Sequence, residues 1–172
     1  MFRPINCSMK DFLRKSIPLL FLMSSILFSQ DGKKPLNTYG ETFAVNAYIS
    51  EDFAKETNLT EQAALSTTKL RLRTNGVPYG SLESSIATLD IYVSAIEIES
   101  ASGESMDSYA FSLTLVFNRW LLDEGGEDLY AATYMNDYIG YADTGTAKKF
   151  LVDGIKDLID EFSIDFIEQN NL

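Results

Sequence analysis

The stretch from about Ser108 to Leu122 alternates apolar and polar side chains over more residues than any other part of the chain. One row reads Tyr109, Phe111, Leu113, Leu115 and Phe117, and the other reads Ser112, Thr114, Val116, Asn118 and Trp120. Successive side chains of a strand point to opposite sides of a sheet, so this period of two predicts one long strand. The fold must therefore contain a sheet, and the other elements decide what covers it.

Three further stretches show the same alternation and predict strands. They cover Phe43–Ile49, residues 89–98 and residues 129–135. In the second of them the apolar phase slips at Ile96, which we interpret as a β-bulge near Ala95 and Ile96. The acidic run 123–128 around two glycines predicts a hairpin loop before the last strand, and residues 140–145 a loop after it.

Two stretches predict helices. The first runs from about Thr60 to Thr74, with Thr60 as N-cap, basic residues in its last turn and Asn75-Gly76 as its stop. The second runs from about Thr146 to Gln169 and carries an apolar stripe at helical spacing beside an acidic one. Gly154 is its one weak helix former.

The resulting order is β-α-β-β-β-α. Both helices are amphipathic and need a sheet face, so the simplest fold is an α+β two-layer sandwich with both helices on one face of a four-stranded mixed sheet. We expect residues 42–172 to form this single domain, preceded by a flexible lead-in at 31–41.

Residues 1–30 have the pattern of a cleavable secretory signal. Four basic residues precede or flank an apolar run of 12 residues, 17–28, that is short for a membrane span. We therefore expect a periplasmic or secreted bacterial protein with no membrane span after cleavage. An uncleaved anchor, and translation from Met9 instead of Met1, remain alternatives.

The charge of the expected mature chain argues against nucleic-acid partners. Removing residues 1–30 takes away four of 14 basic and one of 25 acidic residues and leaves a net charge of −14. Such a surface repels phosphate backbones.

The chain contains no His, and its single Cys, Cys7, lies within the expected signal. The mature protein then lacks the usual general base, the commonest metal ligand and any thiol nucleophile. Neither a nucleophile elbow nor a phosphate-binding glycine loop is present. We therefore predict no enzyme activity, no cofactor and no metal.

Two acidic features are weighed against plainer interpretations. The loop residues Asp123, Glu124, Glu127 and Asp128 are rich in the oxygen ligands that Ca²⁺ prefers, but their spacing is not that of a known calcium loop, and a solvated hairpin turn explains them better. The acidic stripe of the last helix can supply paired carboxylates, but it is also what any solvated acidic helix face presents.

The candidate site is the sheet face that the helices leave open. If the Phe111–Phe117 row faces the helices, an aromatic-rich set faces away and forms a predicted partner surface. Its members are Tyr48, Tyr92, Val116, Trp120, Tyr134 and Tyr138. The alternative is an ordinary exposed antiparallel face with cross-strand aromatic pairs.

The element order resembles two-layer domains of the bacterial envelope: the amino-terminal domain of TolB-type proteins, LptE-type lipoproteins and auxiliary lipoproteins of ABC transporters. The chain is also similar to a group of uncharacterised bacterial exported proteins. The similarity lies in Leu59-Thr-Glu-Gln followed by residues 70–76, in residues 89–93 and 109–115, and in residues 158–167. It implies an envelope protein, and it supplies no functional residue.

These observations lead to three hypotheses. The first is a non-catalytic periplasmic or envelope binding or adaptor module that meets an envelope protein, or itself, through the sheet face. The second is a small-ligand protein that holds a lipid or glycan between helices and sheet. The third is a carboxylate-based hydrolase.

Overall fold

The computed structural model describes residues 36–38, 40–122 and 125–172 of the 172-residue chain. The predicted signal at 1–30, most of the lead-in, and Asp123 and Glu124 of the hairpin loop lie outside the described residues. The elements in chain order are β1 (Phe43–Ile49), α1 (Glu51–Thr57), α2 (Glu61–Thr74), a 3₁₀ turn (Leu82–Ser84), β2 (Ala87–Glu99), β3 (Ser105–Leu122), β4 (Asp128–Asp143) and α3 (Thr144–Asn170).

The four strands form one mixed sheet in the order β1-β2-β3-β4. β1 and β2 are parallel, with Phe43 opposite Ala87 and Ile49 opposite Val93. β2, β3 and β4 form an antiparallel meander. The α+β class and the four-stranded mixed sheet are confirmed, and the helices pack on this sheet.

The core lies between the sheet and the helices α2 and α3. Four phenylalanine rings from three elements meet there: Phe43 of β1 and Phe117 of β3 contact Phe162 and Phe166 of α3, with ring centroids 5.3 to 6.3 Å apart. All four are fully buried. Edge-to-face aromatic packing of this kind adds to the free energy gained by burying their area.

Helix α2 begins as the sequence predicts. The Thr60 side chain accepts a hydrogen bond from the backbone N–H of Ala63 at 3.1 Å, which satisfies one of the free donors of the first turn. Near its other end, Arg71 makes a bidentate ion pair with Asp160 of α3, and Asn75 donates to Asp160 and Ser163. The two helices are therefore tied to each other.

Helix α1 is an element that the sequence did not reveal. It follows β1 directly and turns Phe53 against Tyr109 of β3, with ring centroids 5.2 Å apart. The Tyr109 hydroxyl donates to the Glu56 carboxylate. The three helices thus all lie on the side of the sheet that carries the Tyr109–Phe117 row.

The observed strands and bulges differ from the predicted ones. β4 continues to Asp143, so the loop expected at 140–145 is strand followed by helix. The bulge expected near Ala95 and Ile96 is wrong, because both residues pair in unbroken register with β3 and the shift lies between Glu97 and Glu99. Ile96 breaks the apolar phase because it lies on the solvent side of the sheet, where it is exposed.

Candidate functional site

The face of the sheet opposite the helices, called here the outer face, consists of every second residue of each strand. The pairing register gives its members in cross-strand rows: Ala44, Thr88, Asn118 and Ala132; Asn46, Asp90, Val116 and Met135; Tyr48, Tyr92, Thr114 and Asp137; Ser94, Ser112 and Ile139; and Ile96, Ala110 and Tyr141. Trp120 and Tyr130 pair at one end. Of the predicted surface, Tyr48, Tyr92, Val116 and Trp120 lie on this face.

A polar network occupies the outer face at β2. The carboxylate of Asp90 accepts hydrogen bonds from the Asn46 amide at 2.8 Å, the Thr88 hydroxyl at 2.8 Å and the Asn118 amide at 2.7 Å. Asp90 is only 6% exposed. All three of these donors are neutral side chains.

Tyr48 and Tyr92 form a stacked pair beside this network, with ring centroids 4.9 Å apart and planes 14° apart. Partial burial, and after it the charge of Asp90, raise the pKa of both phenols above the ordinary 10.0. Both rings are still 40 to 45% exposed. The pair therefore presents two phenol groups in a region of negative potential.

Trp120 and Tyr130 form a second aromatic pair at the other end of the face, with ring centroids 5.0 Å apart. The hydroxyls of Tyr130 and Thr88 lie 2.8 Å apart, which links this pair to the Asp90 network. Trp120 remains 59% exposed. Two exposed aromatic pairs thus flank one buried carboxylate.

Tyr134 and Tyr138 were expected on the outer face, and this placement is wrong. Thr133 is an extra residue in β4, opposite the register shift between Phe117 and Asn118, so the strand changes phase there. Tyr134 then packs on Phe162 of α3 with centroids 5.7 Å apart, and Tyr138 stacks on Phe111. Met135 takes the place on the outer face instead.

Sequence reasoning also missed three members of the site. Tyr130 lies in the alternating stretch 129–135 but was not included in the predicted surface, and the register places it opposite Trp120. Asp90 and Asn46 are polar residues inside apolar strands, and that contrast is the signal that points to a buried network.

Two open depressions lie on the surface of the described residues. One of about 380 Å³ is at the end of β1 and is lined by residues including Tyr48, Glu61, Tyr92 and Ser94. The other, of about 410 Å³, follows α2 and is lined by Arg73 and residues 76–79. Between the sheet and α3, where the second hypothesis places a lipid or glycan, the four phenylalanine rings lie in contact with one another.

Several acidic residues of α3 make structural contacts. Asp153 pairs with Lys156 at 2.8 Å, Asp160 with Arg71, and Glu161 accepts from Asn136. These partners lower the pKa of Asp153 and Asp160 below 3.8. Within the described parts of the chain, no three acidic residues cluster as a metal site would require.

Among the helices described, none has the length and apolar content needed to cross a membrane.

The solved structures that match this chain include two bacterial lipoproteins. A minor lipoprotein from Acinetobacter baumannii matches with 12% identity and a TM-score of 0.38, over 73% of this chain and 90% of that chain. The rare lipoprotein B from Shewanella oneidensis matches with 15% identity and a TM-score of 0.27, over 74% and 91%. No protein-family model and no curated protein sequence matches. At these TM-scores the likeness carries no argument about function.

Proposed function

We propose that this protein is a non-catalytic binding or adaptor module of the bacterial envelope that meets its partner through the outer face. The observation that carries the proposal is the exposure of two aromatic pairs, Tyr48 with Tyr92 and Trp120 with Tyr130, on a sheet face whose opposite side holds the helices. Exposed Tyr and Trp supply large contact area at small entropic cost and often anchor interfaces.

Two features of the sequence support the envelope location and the absence of catalysis in this proposal. The pattern of residues 1–30 is that of an export signal. The chain has no His, and the expected mature part has no Cys, so the common nucleophile and base pairs have no members here. The protein is therefore proposed to act by contact.

The proposal is tested by site-specific photo-crosslinking in the bacterium that makes the protein. A photoreactive phenylalanine is introduced at Trp120, and in a separate strain at Phe150 of α3. The two sites are matched, since Trp120 is 59% and Phe150 47% exposed. We expect a discrete crosslinked product from position 120 and none from position 150. Equal labelling at both positions, or none at 120, would overturn the proposal.

Light scattering on the purified protein identifies one class of partner. A stable dimer that Trp120→Ala converts to monomer makes the partner a second copy of this chain. A monomer that still yields the position-120 crosslink in cells makes it a different protein.

A further inference from the structure

The parallel ladder of the sheet ends before β2 does. β1 pairs with β2 only as far as Ile49 opposite Val93, and the chain then leaves the sheet into α1. β2 continues for six more residues, Ser94–Glu99, of which Ser94–Glu97 and Glu99 pair with β3 on their other side. Among the described strands, none pairs with these six residues on the β1 side. Alternate residues there direct N–H and C=O groups toward an open edge.

The depression of about 380 Å³ lies at this open edge. The end of β1 and its neighbour α2 form one side through Tyr48, Ile49 and Glu61, and β2 forms the other through Tyr92, Ser94 and Ala95. Glu61 is held in place because its carboxylate accepts the backbone N–H of Ile49 at 3.2 Å. The site therefore occupies the path that a continued β1 would follow.

Charge at this edge is of one sign. Glu61 lines the depression, Glu97 and Glu99 belong to the open segment, and Asp90 lies two residues before Tyr92. Across all four strands the only basic residue is Arg119, which is buried and donates to the Asn37 carbonyl. On the exposed surface of α1, Lys55 pairs with Glu51 and Asp52, each at 3.8 Å. A cationic partner is thus complementary to this edge.

We propose that the open edge of β2 accepts a cationic polypeptide segment as an added strand, with its main chain paired to Ser94–Glu97 and a Lys or Arg side chain against Glu61 and the Tyr48–Tyr92 rings. Strand addition uses backbone hydrogen bonds for affinity and side-chain sites for specificity. Phenol rings attract cations through their faces, and a carboxylate beside them strengthens the attraction. The inference rests on the proposed binding function and assigns it a partner class.

A second copy of this chain fits the edge less well. Pairing two such edges brings together two surfaces of the same negative sign, each with Glu61, Glu97 and Glu99, and like-charge juxtaposition is destabilising. The shift of register between Glu97 and Glu99 also limits regular pairing to the first four residues. A short strand from a basic partner avoids the like-charge contact and needs only the four residues that can pair regularly.

The test uses protein made from the full chain and a fluorescent ten-residue peptide of alternating Val and Lys, followed by fluorescence anisotropy. Two control peptides replace Lys by Glu, or carry methyl groups on the four central backbone nitrogens. We expect each control to bind at least tenfold more weakly than the Val–Lys peptide. We also expect Glu61→Gln, which keeps the acceptor for Ile49, to weaken binding about fivefold and to reduce its salt dependence. Glu83→Gln, at an exposed carboxylate of the 3₁₀ turn, is the matched control and should not change binding.

The results of these binding experiments distinguish strand addition at the edge from the alternatives. Equal binding of the methylated or the acidic peptide, or no effect of Glu61→Gln, overturns strand addition at this edge. If the Val–Lys peptide does not bind while the photoreactive residue at position 120 still crosslinks in cells, binding at the edge is rejected and the outer-face function is retained. If the peptide binds but position 120 gives no crosslink, the outer-face function is rejected and binding at the edge is retained. A dimer in light scattering that the Val–Lys peptide dissociates, and that Trp120→Ala leaves intact, would make a second copy of this chain the occupant of the edge and reject the proposal.

Discussion

At the scale of single residues, Asp90 is the side chain whose environment is most unusual. It is a nearly buried carboxylate on a face that is otherwise open, and three neutral donors from β1, β2 and β3 hold it. Since each donor comes from a different strand, the network fixes the side chains of the outer face relative to one another. The network therefore helps to hold the flanking aromatic pairs in fixed positions before a partner binds.

Replacing Asp90 by Ala should leave the Asn46 and Asn118 amides without their acceptor. Buried donors that lose a partner cost about 1–3 kcal/mol each, and partial access of water reduces this, so we expect a loss of about 2 kcal/mol. Asp137→Ala, at an exposed position of the same face, should change stability by less than about 0.5 kcal/mol. Urea unfolding at pH 7 measures both. Similar losses in the two variants would contradict the role assigned to the network.

Tyr134 predicts how stability responds to alkaline pH. Burial, and after it the charge of Asp165, raise the pKa of Tyr134 from 10.0 to about 12. Above pH 10 the unfolded chain loses this proton while the folded protein keeps it, so the contribution is complete below pH 10 and is lost as pH rises toward 12. Allowing for solvent screening of a half-buried ring, the loss is about 1 kcal/mol.

Urea unfolding of the wild type and Tyr134→Phe at several values between pH 9 and 12 checks this expectation. The other titrating groups are common to both proteins and cancel in the difference. We expect the wild type to lose about 1 kcal/mol more than the variant over this range. Parallel pH curves would mean that the Tyr134 hydroxyl is not shielded by α3.

At the scale of elements, Gly154 sets how closely α3 approaches the sheet. A Cβ at this position would lie 2.7 Å from Cδ1 of Leu113, a fully buried residue of β3. The sequence marked Gly154 only as a weak helix former. In the structure it is the point of contact between helix and strand, and the absent side chain is the reason for the contact.

Gly154→Ala should therefore destabilise the protein even though alanine is the better helix former. Overpacking a core lowers the free energy of unfolding by about 1–3 kcal/mol, and the better helix propensity of alanine raises it by about 1 kcal/mol. We therefore expect a net loss of about 1 kcal/mol. Asp157→Ala, at an exposed site on the same helix, should stay within about 0.5 kcal/mol. Combining Gly154→Ala with Leu113→Val should cost less than the two single losses together, because the smaller side chain makes room. Additive losses in urea unfolding would refute the contact.

The sequence predicted those elements whose pattern is long and local. The alternation of β3 and the Thr60 cap of α2 are confirmed, because each depends on neighbours within one element. Helix α1 was missed because seven residues with two buried side chains give no period. Tyr134 and Tyr138 were assigned to the wrong face because one extra residue, Thr133, changes the phase of β4, and only pairing with β3 reveals it.

At the scale of the whole molecule, basic and aromatic residues are separated between the two layers. Apart from buried Arg119, the basic residues of β1 through α3 lie on the helices, whereas the outer face carries exposed aromatic rings and no basic residue. The helix side holds the fold together through its phenylalanine cluster. Stability and recognition should therefore depend on opposite sides of the same sheet.

Paired substitutions on the two sides test this division of roles. Trp120→Ala with Tyr130→Ala removes two half-exposed rings, so the free energy of unfolding should fall by about 1 kcal/mol or less, mostly from their mutual contact. Phe162→Ala removes a fully buried ring that touches Phe43, Phe117 and Phe166, and it should cost about 3–5 kcal/mol.

The effect on recognition is measured in cells with a photo-crosslinker placed at Tyr92. This crosslinker should lose its product in the outer-face variant, Trp120→Ala with Tyr130→Ala, whose fold is intact. A Phe162→Leu protein, which keeps most of the core volume and folds, should retain that product. If the outer-face variant unfolded like Phe162→Ala, or crosslinked like the wild type, the two sides of the sheet would not have separate roles.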